Sequence, residues 1–550
     1  MTVLTANFFL DRSVERGDGV DQRSCRKISG VFDGAFEQSE AISTTPRQAP
    51  ALSGRSDAVQ QVGAPEEVLN PGGWLRPQRW SEKQSHRPEF ANLTTERGIL
   101  CGMQTVRPFD CDVIVAGGGP AGSAASAWLA RAGHSVQLFE RDAFPRFHIG
   151  ESLLASVNDA LAAIGADGLV RQANFPQKWG ATFMLADGRA ERYADFGIAP
   201  GVPMPQTWQV PRATFDDLLL RHAASSGVQV HERHRILDIE FDDDGVTATV
   251  QPAERDRASF QVRARAIVDA SGRTGLLSRK FSLRVDEPRL ANVGVFSHYS
   301  GVPRPAGRRA GDIRIVSRAD LGWFWLIPIS GDLMSVGVVL PHSAFQAQAT
   351  TDHEALLDRA IAETPAVASL LAGASREWPV RVEKEFSFSS RAYAGDRWVL
   401  VGDAGSFLDP VFSTGVAIAL ESGVEGARAV SAGLKANDLS VRRFRRFAKR
   451  QRQRYLSFRR FVLGFYTPEF RDLFFSEDPP KRIFRSLVSV FAGYWQPTLM
   501  TRFWVATFFV LVRLQRRVKF APSFSTGADA GADLATELQT ASADLRTKER

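Results

Sequence analysis

From residue 111 onward, short contiguous apolar runs alternate with stretches of helical spacing; before it, almost no periodicity is sustained. CDVIVAG (111–117) is apolar and β-rich and ends in glycines, which predicts a buried parallel strand. PAGSAASAWLARAG (120–133) is small and apolar at helical spacing, with Gly133 placed to end it. SVQLFER (135–141) supplies a second strand, so the three make a βαβ unit.

Further along, RATFDDLLLRHAASSG (212–227) reads as a helix, and the alternating residues 228–253 read as a meander turning near Asp244 and Gly245. ARAIVDASGR (264–273) is another strand ending in a glycine turn. LANVGVFSHYS, GDIRIVSRA, GWFWLIPIS and LMSVGVVL, all between 285 and 345, alternate like a sheet that walls a cavity. RWVLVGDAG (397–405) returns to a buried strand, with a helix expected from there through Ser422. Residues 438–520 predict helices.

These elements predict an α/β fold: a Rossmann-type dinucleotide domain over 106–437 with an inserted mixed β-sheet substrate region (about 175–210 and 285–390), then a helical region over 438–520. Residues 1–105, rich in Ser, Gly, Pro and charge, are expected to be disordered or weakly ordered, with much of the stretch ahead of Met103 either a tail or a misassigned start; 521–550 are expected to be a flexible tail.

Composition changes this picture little. At 44% hydrophobic and 23% charged, the chain reads as a soluble protein with room for a large core. Cys25, Cys101 and Cys111 offer neither metal spacing nor a disulfide framework, which predicts no metal and a reducing, cytoplasmic setting. The N-terminus has no secretory pattern. The longest late apolar stretch, FWVATFFVLV (503–512), is far short of the ~20 residues a spanning helix needs.

The net charge of +7 owes much to VRRFRRFAKRQRQRYLSFRRF (441–461). Its aromatics, Phe444, Phe447, Tyr455, Phe458 and Phe461, recur at helical spacing. That favours a helix packed on the core with a basic outer face, and disfavours nucleic acid. The basic face suits an acidic carrier protein or anionic lipid. Residues 494–517 are placed to cap a substrate cavity or to lie on a membrane surface.

The chemistry begins with GGGPAG. Gly117 permits the tight turn, Gly119 lets backbone approach a pyrophosphate, and Gly122 lets helix pack on strand. The helix N-terminus offers free N–H groups, and Glu140 at the end of the second strand is spaced for ribose hydroxyls. An acidic residue there fits FAD or NAD better than NADP.

VGDAG, with Asp403, resembles the late Gly-Asp motif of FAD monooxygenase-like proteins, whose aspartate binds the ribityl chain; DASGR (269–273) resembles their intermediate motif. FPRFHIGESLL (144–154), KWGATF (178–183), GWFWLIP (322–328) and DPVFSTG (409–415) resemble the flavin-dependent halogenases, in the branch acting on phenols, pyrroles or carrier-bound acyl groups. The likeness covers roughly residues 110–515.

The resemblance implies FADH2 and O2 as reactants, chloride or bromide as halide, and a separate flavin reductase. It also implies a small-molecule or carrier-bound substrate. In that family hypohalous acid forms at the flavin and travels through a tunnel to a lysine, which directs attack on substrate. By motif position that lysine is Lys178, while Trp323 and Trp325 line the tunnel. Ser413, Thr414 and Gly415 resemble the halide-binding turn, with Thr414 and Gly415 as the halide ligands. A helix cap by Ser413 or Thr414 is the competing or concurrent reading. The cofactor set extends to Pro120, Ala121, Arg141, Gly150, Ser152, Arg212 and Val416.

Arg146, His148 and Glu151 are further candidates near the flavin, with structural roles as the alternative. A departure is Phe412: tryptophan halogenases carry glutamate there, which puts free tryptophan in doubt as substrate. Two competing functions remain on this scaffold. One is an FAD-dependent hydroxylase or geranylgeranyl-reductase-like oxidoreductase using NAD(P)H. The other is a non-catalytic, membrane-associated flavoprotein.

Overall fold

The computed structural model describes residues 108–524, apart from 255, 349 and 497. The expectations for residues 1–105, for Met103 and for the tail beyond 524 lie outside the described residues.

The first apolar run is the strand Cys111–Ala116, of which only Asp112 is not fully buried. It pairs in parallel with Val136–Phe139 on one side and Phe260–Asp269 on the other. Gln229–His231 and Trp398–Leu400 extend the sheet at its two sides, also in parallel. Burial on both faces is what contiguous rather than alternating apolar runs require. The residues expected to form one meander therefore divide. Gln229–His231 joins the parallel edge, while His234–Phe241 and Val246–Pro252 form a hairpin that pairs onto Phe260–Asp269.

Two helices cover the cofactor end of this sheet. Pro120–Arg131 starts with proline in its first turn, and the chain beyond it turns at Gly133 with φ +88°. Thr414–Lys435 lies against it at close range: a Cβ on Gly423 would sit 2.4 Å from the Ala121 carbonyl oxygen.

The second sheet runs in the order Ser375–Arg376, Arg284–Ser300, Leu333–Pro341, Trp323–Ser330, Ile313–Ser317, Gly180–Leu185, Glu191–Asp195. Arg381–Ser390 also pairs with Arg284–Ser300. A separate two-residue ribbon joins Gln177–Lys178 to Thr207–Trp208 and seats Lys178 opposite Thr207.

The late helix differs from expectation. After Trp398–Leu400 come two 3-10 turns, Gly402–Ala404 and Pro410–Phe412, and the helix begins only at Thr414 and continues to Lys435. Beyond it, Val441–Phe465, Pro468–Phe475, Lys481–Phe491 and Leu499–Val518 are helical. Phe444, Phe447, Tyr455, Phe458 and Phe461 are buried, as the spacing required. No helix among the described residues is long and apolar enough to cross a membrane.

Candidate active site

The cradle is built from backbone that tolerates no side chains. Gly117 has φ +102°, and a Cβ there would lie 2.4 Å from the Ala270 carbonyl oxygen; one on Gly122 would lie 1.8 Å from that of Gly117. Glu140 pins the loop: its Oε2 accepts from Gly118 N at 2.7 Å and its Oε1 from Asp142 N at 2.9 Å. Each oxygen keeps a lone pair for a ligand hydroxyl.

From this cradle a cavity of about 690 Å³ runs past Glu140, Arg212 and Asp403 to Trp323, Trp325 and Ile327. Its size is that of a cofactor site. Of the residues predicted to bind cofactor, Gly117, Gly119, Pro120, Ala121, Glu140, Arg141, Gly150, Ser152, Arg212, Asp403, Gly415 and Val416 line it; Gly122 lies behind, at the helix–strand contact. Arg146, His148 and Glu151 line it as well.

Asp403 faces this space and makes no hydrogen bond among the described residues. Burial pushes its carboxyl up to about 6, against the opposing charges of Arg273 and Arg212. An acceptor left open in this way suits the hydroxyls of a flavin side chain. Arg212, by contrast, is spent within the protein. It makes a bidentate pair with Asp216 at 2.8 and 2.9 Å, and its Nη1 donates to the Ile149 carbonyl at 2.8 Å. It thereby braces the Ile149–Gly150 turn, where Gly150 has φ +104°. His148 is pulled down to about 4, by burial first and by Arg212 next, so it is neutral at the cavity wall near pH 7.

Lys178 is 1% exposed, so it is not a solvated surface lysine. Its Nζ donates to Ser152 Oγ and to the Leu153 carbonyl, each at 2.8 Å, and lies 5.4 Å from the centroid of the Phe196 ring. Burial lowers its pKa to about 7, with Asp312 opposing. Two acceptors match the two N–H bonds of a neutral amine and leave its lone pair free. Ser152 is on the cavity wall and Lys178 is directly behind it. Asp312 sets the preceding geometry, accepting from Trp179 N and Gly180 N at 2.6 and 3.0 Å and from the Tyr193 hydroxyl at 2.8 Å.

The tryptophan wall has its own supports. Trp325 pairs with Gly337 on the next strand, where a Cβ would lie 2.3 Å from the indole, so a glycine within a strand makes room for it. Its Nε1 donates to Ser335 Oγ at 3.0 Å. Trp323 Nε1 donates to the Tyr466 hydroxyl at 2.8 Å; that hydroxyl donates to Asp409 Oδ2 at 2.8 Å, which also accepts from Asn292 Nδ2 at 2.6 Å. Asp409 Oδ1 accepts from Val411 N at 3.1 Å and so caps the turn Pro410–Phe412.

That turn delivers Ser413 at φ +56° to the start of the late helix. Neither expected cap forms. Ser413, at the cap position, makes no side-chain cap bond, and Thr414 Oγ1 is buried without a hydrogen-bond partner. Ser413 and Gly415 line the cavity, while Thr414 is 1% exposed behind them. Phe412 is buried among Phe183, Phe461, Phe465 and Phe491, with its ring stacked on Phe491 at 5.0 Å.

Sequence reasoning missed Asn292 and Tyr466 because 117 and 57 residues separate them from Asp409. Only Asp409 carried a signal, as the acid ahead of proline in DPVFSTG. It also missed the buried pair of Glu151 and His298, 3.3 Å apart beside the cavity.

Comparison with known proteins agrees with this geometry. The tryptophan halogenase family model matches residues 112–208 and 198–478. The flavin-dependent halogenase armH3 of Armillaria mellea is 34% identical over 383 residues, 66% of this chain and 76% of that one. The 1H-pyrrole-2-carbonyl-[peptidyl-carrier protein] chlorinase of Pseudomonas fluorescens is 31% identical over 396 residues, 68% of this chain and 87% of that one. Among solved structures, the myxobacterial chondrochloren halogenase CndH superposes with TM-score 0.61 at 32% identity, covering 74% of this chain and 97% of that one. With a dinucleotide cradle, a tryptophan wall and matches on this scale, the chain belongs to the flavin-dependent halogenases, FAD-dependent enzymes of Rossmann-type α/β fold.

Proposed function

We propose that this enzyme uses FADH2 and O2 to form hypohalous acid from chloride or bromide, and that Lys178 directs the halogen onto an electron-rich aromatic or carrier-bound substrate. The reading is carried by one observation: a buried amine held by Ser152 and the Leu153 carbonyl immediately behind the flavin cavity. The reduced flavin, with oxygen, supplies the oxidising power.

The protein's own residues do the rest. The backbone N–H groups that open the late helix, with the unpartnered Thr414 hydroxyl nearby, offer the halide a positive end. Trp323 and Trp325 close the cavity and keep substrate from the flavin, which separates halogenation from direct oxygen transfer. Ser152 bridges the wall to Lys178, and the neutral amine is the form that captures or hydrogen-bonds an electrophilic halogen. A pyrrole-carrier chlorinase among the relatives supports a carrier-bound substrate. A separate reductase supplies the reduced flavin, and the shortage of cysteines supports a cytoplasmic setting.

The test is a reconstitution of purified protein with FAD, a flavin reductase, oxygen and bromide on a reactive phenol. Brominated product is expected, rising as pH increases through about 7, where Lys178 loses its proton. Lys178→Ala should keep FAD affinity and lose halogen transfer by about 100-fold or more. Rapid NAD(P)H oxidation without a reductase, and no brominated product, would overturn the proposal.

A further inference from the structure

The last helix among the described residues, Leu499–Val518, is docked by one side only. Thr501, Phe508, Phe509 and Gln515 are buried, and Gln515 Nε2 donates to Asp472 Oδ2 at 3.1 Å, which ties the helix to Pro468–Phe475. None of its residues lines the flavin cavity. It also lies beyond residue 478, where the match to the family model ends. The chemistry proposed above therefore gives this helix no task.

Its outward side is apolar. Leu499, Phe503 and Val510 stand at i, i+4 and i+11, which puts them in line on a helix. They are 80, 54 and 51% exposed, and Met500 beside them is 63% exposed. Single exposed apolar side chains are ordinary, whereas a contiguous row marks a contact surface. The Thr507 hydroxyl beside the row is spent on the Phe503 carbonyl, to which it donates at 3.0 Å. The row thus offers a partner hydrocarbon and no hydrogen bond.

Charge frames the row. Leu499–Val518 contains four arginines and no acid. Arg516 pairs with Glu469 at 3.1 Å, whereas Arg502, Arg513 and Arg517 make no ion pair among the described residues. By helical spacing Arg502 and Arg513 flank the row and Arg517 falls at its C-terminal end. Arg513 also faces a like charge, Arg460 of Val441–Phe465, which has no ion pair among the described residues either. Arg460 stacks on the Phe509 ring at 3.7 Å; that covering first, and the Arg513 charge next, lower its pKa. Leu456, one turn before Arg460, is exposed. Two helices therefore add apolar and basic groups to one surface, and its unneutralised arginines call for an anion.

An acidic protein would answer the arginines but not the row, because protein interfaces carry roughly one hydrogen bond per 100–200 Å². A bilayer of anionic lipid answers both. Its phosphates meet the arginines, and its acyl boundary takes side chains that need no polar partner.

We propose that this surface docks the enzyme on an anionic membrane, with Leu499, Phe503 and Val510 entering the boundary between headgroups and acyl chains and Arg460, Arg502 and Arg513 meeting lipid phosphates. The helix lies in the plane of the interface and does not span it. The proposal is independent of the role given to Lys178, and its test reads no halogenation.

Flotation of the full-length, FAD-loaded protein with lipid vesicles is that test. Vesicles of phosphatidylcholine with about a quarter phosphatidylglycerol should bind it about tenfold more strongly than phosphatidylcholine alone, and added salt should weaken the binding. Phe503→Asp combined with Val510→Asp should lower binding to the anionic vesicles about tenfold. Arg460→Glu combined with Arg513→Glu should remove the preference for them. All four positions are exposed, and retained FAD absorbance shows that each variant is folded.

Equal binding to neutral and anionic vesicles, or binding to neither, overturns the proposal. So does unchanged vesicle binding in the double aspartate variant. A wild-type dimer that Val510→Asp turns into a monomer, in protein that leaves vesicles unbound, would assign the row to a second copy instead. Capture by an acidic acyl-carrier protein, lost in the double aspartate variant and again without vesicle binding, would assign it to that partner and equally overturn the membrane.

Discussion

At the residue scale, the site depends on a few buried polar atoms whose partners are far away in the chain. Asp409 is the clearest case. One oxygen caps the turn leading to Ser413, and the other receives Tyr466 and Asn292, so one carboxylate links the start of the late helix to the Trp323 indole. Tyr466→Phe keeps the ring and removes the hydroxyl's bonds to Trp323, Asp409 and Asn292. Leaving the buried indole N–H unpaired costs about 1–3 kcal/mol of stability. We expect intact FAD binding but a severalfold fall in brominated product per reduced flavin consumed, because a loosened wall lets oxidant escape; an unchanged ratio would remove Tyr466 from the support of Trp323. Short motifs named Lys178, Trp323 and Trp325, and the fold brings the two tryptophans to the cavity wall and Lys178 behind Ser152. Asn292 and Tyr466 were not, since nothing local to either one announces a partner across the fold. Lys178 also shows the limit of residue type: lysine is ordinarily solvated, and its burial comes from the ribbon with Thr207 together with Ser152, Leu153 and Phe196 around its amine.

At the scale of elements, contiguous apolar runs identified the parallel strands, and alternation identified the strands of the second sheet, because each period reports which faces are covered. The errors came where that rule gives no signal. Gln229–His231 looked like part of a meander because three residues are too few to show whether one face or both are buried. The late helix was placed too early because 3-10 turns carry no hydrophobic period of their own. The glycine cradle was fully legible, and its dimensions give a prediction. In Gly122→Ala the added methyl would lie 1.8 Å from the Gly117 carbonyl oxygen, so the loop must move. Overpacking of this kind costs about 1–3 kcal/mol, and because the displaced loop is the cofactor cradle, isothermal titration should show FAD affinity falling by about tenfold or more. Affinity equal to wild type would mean that the turn is looser than its geometry.

Across the whole molecule, the C-terminal helices are joined to the flavin domain by charge as well as by aromatic packing. Arg454, in the middle of the basic helix, is 1% exposed and pairs with Glu421 and Glu425 of the late helix at 3.2 and 2.9 Å. Composition suggested a solvated face at such positions, and the helix keeps one for most of its arginines; this one turns inward. Burial, opposed by the Arg454 charge, raises Glu421 to about 6. Arg454→Met leaves Glu421 without its cation, while Glu425 keeps Arg450 at 2.6 Å; the loss is about 3 kcal/mol. The sign of its pH dependence follows from the raised value: below about 6 Glu421 takes up a proton and the unpaired charge disappears. Urea unfolding should therefore show a larger deficit at pH 8 than at pH 5, and equal deficits at the two pH values would mean that Glu421 stays ionised.

Phe412 sits in the middle of a five-membered aromatic nest whose other members come from the second sheet and from two C-terminal helices. A carboxylate introduced there would be stranded among hydrocarbon. An acid at this address therefore cannot be introduced by a point exchange alone; it requires rebuilding the helical roof around it.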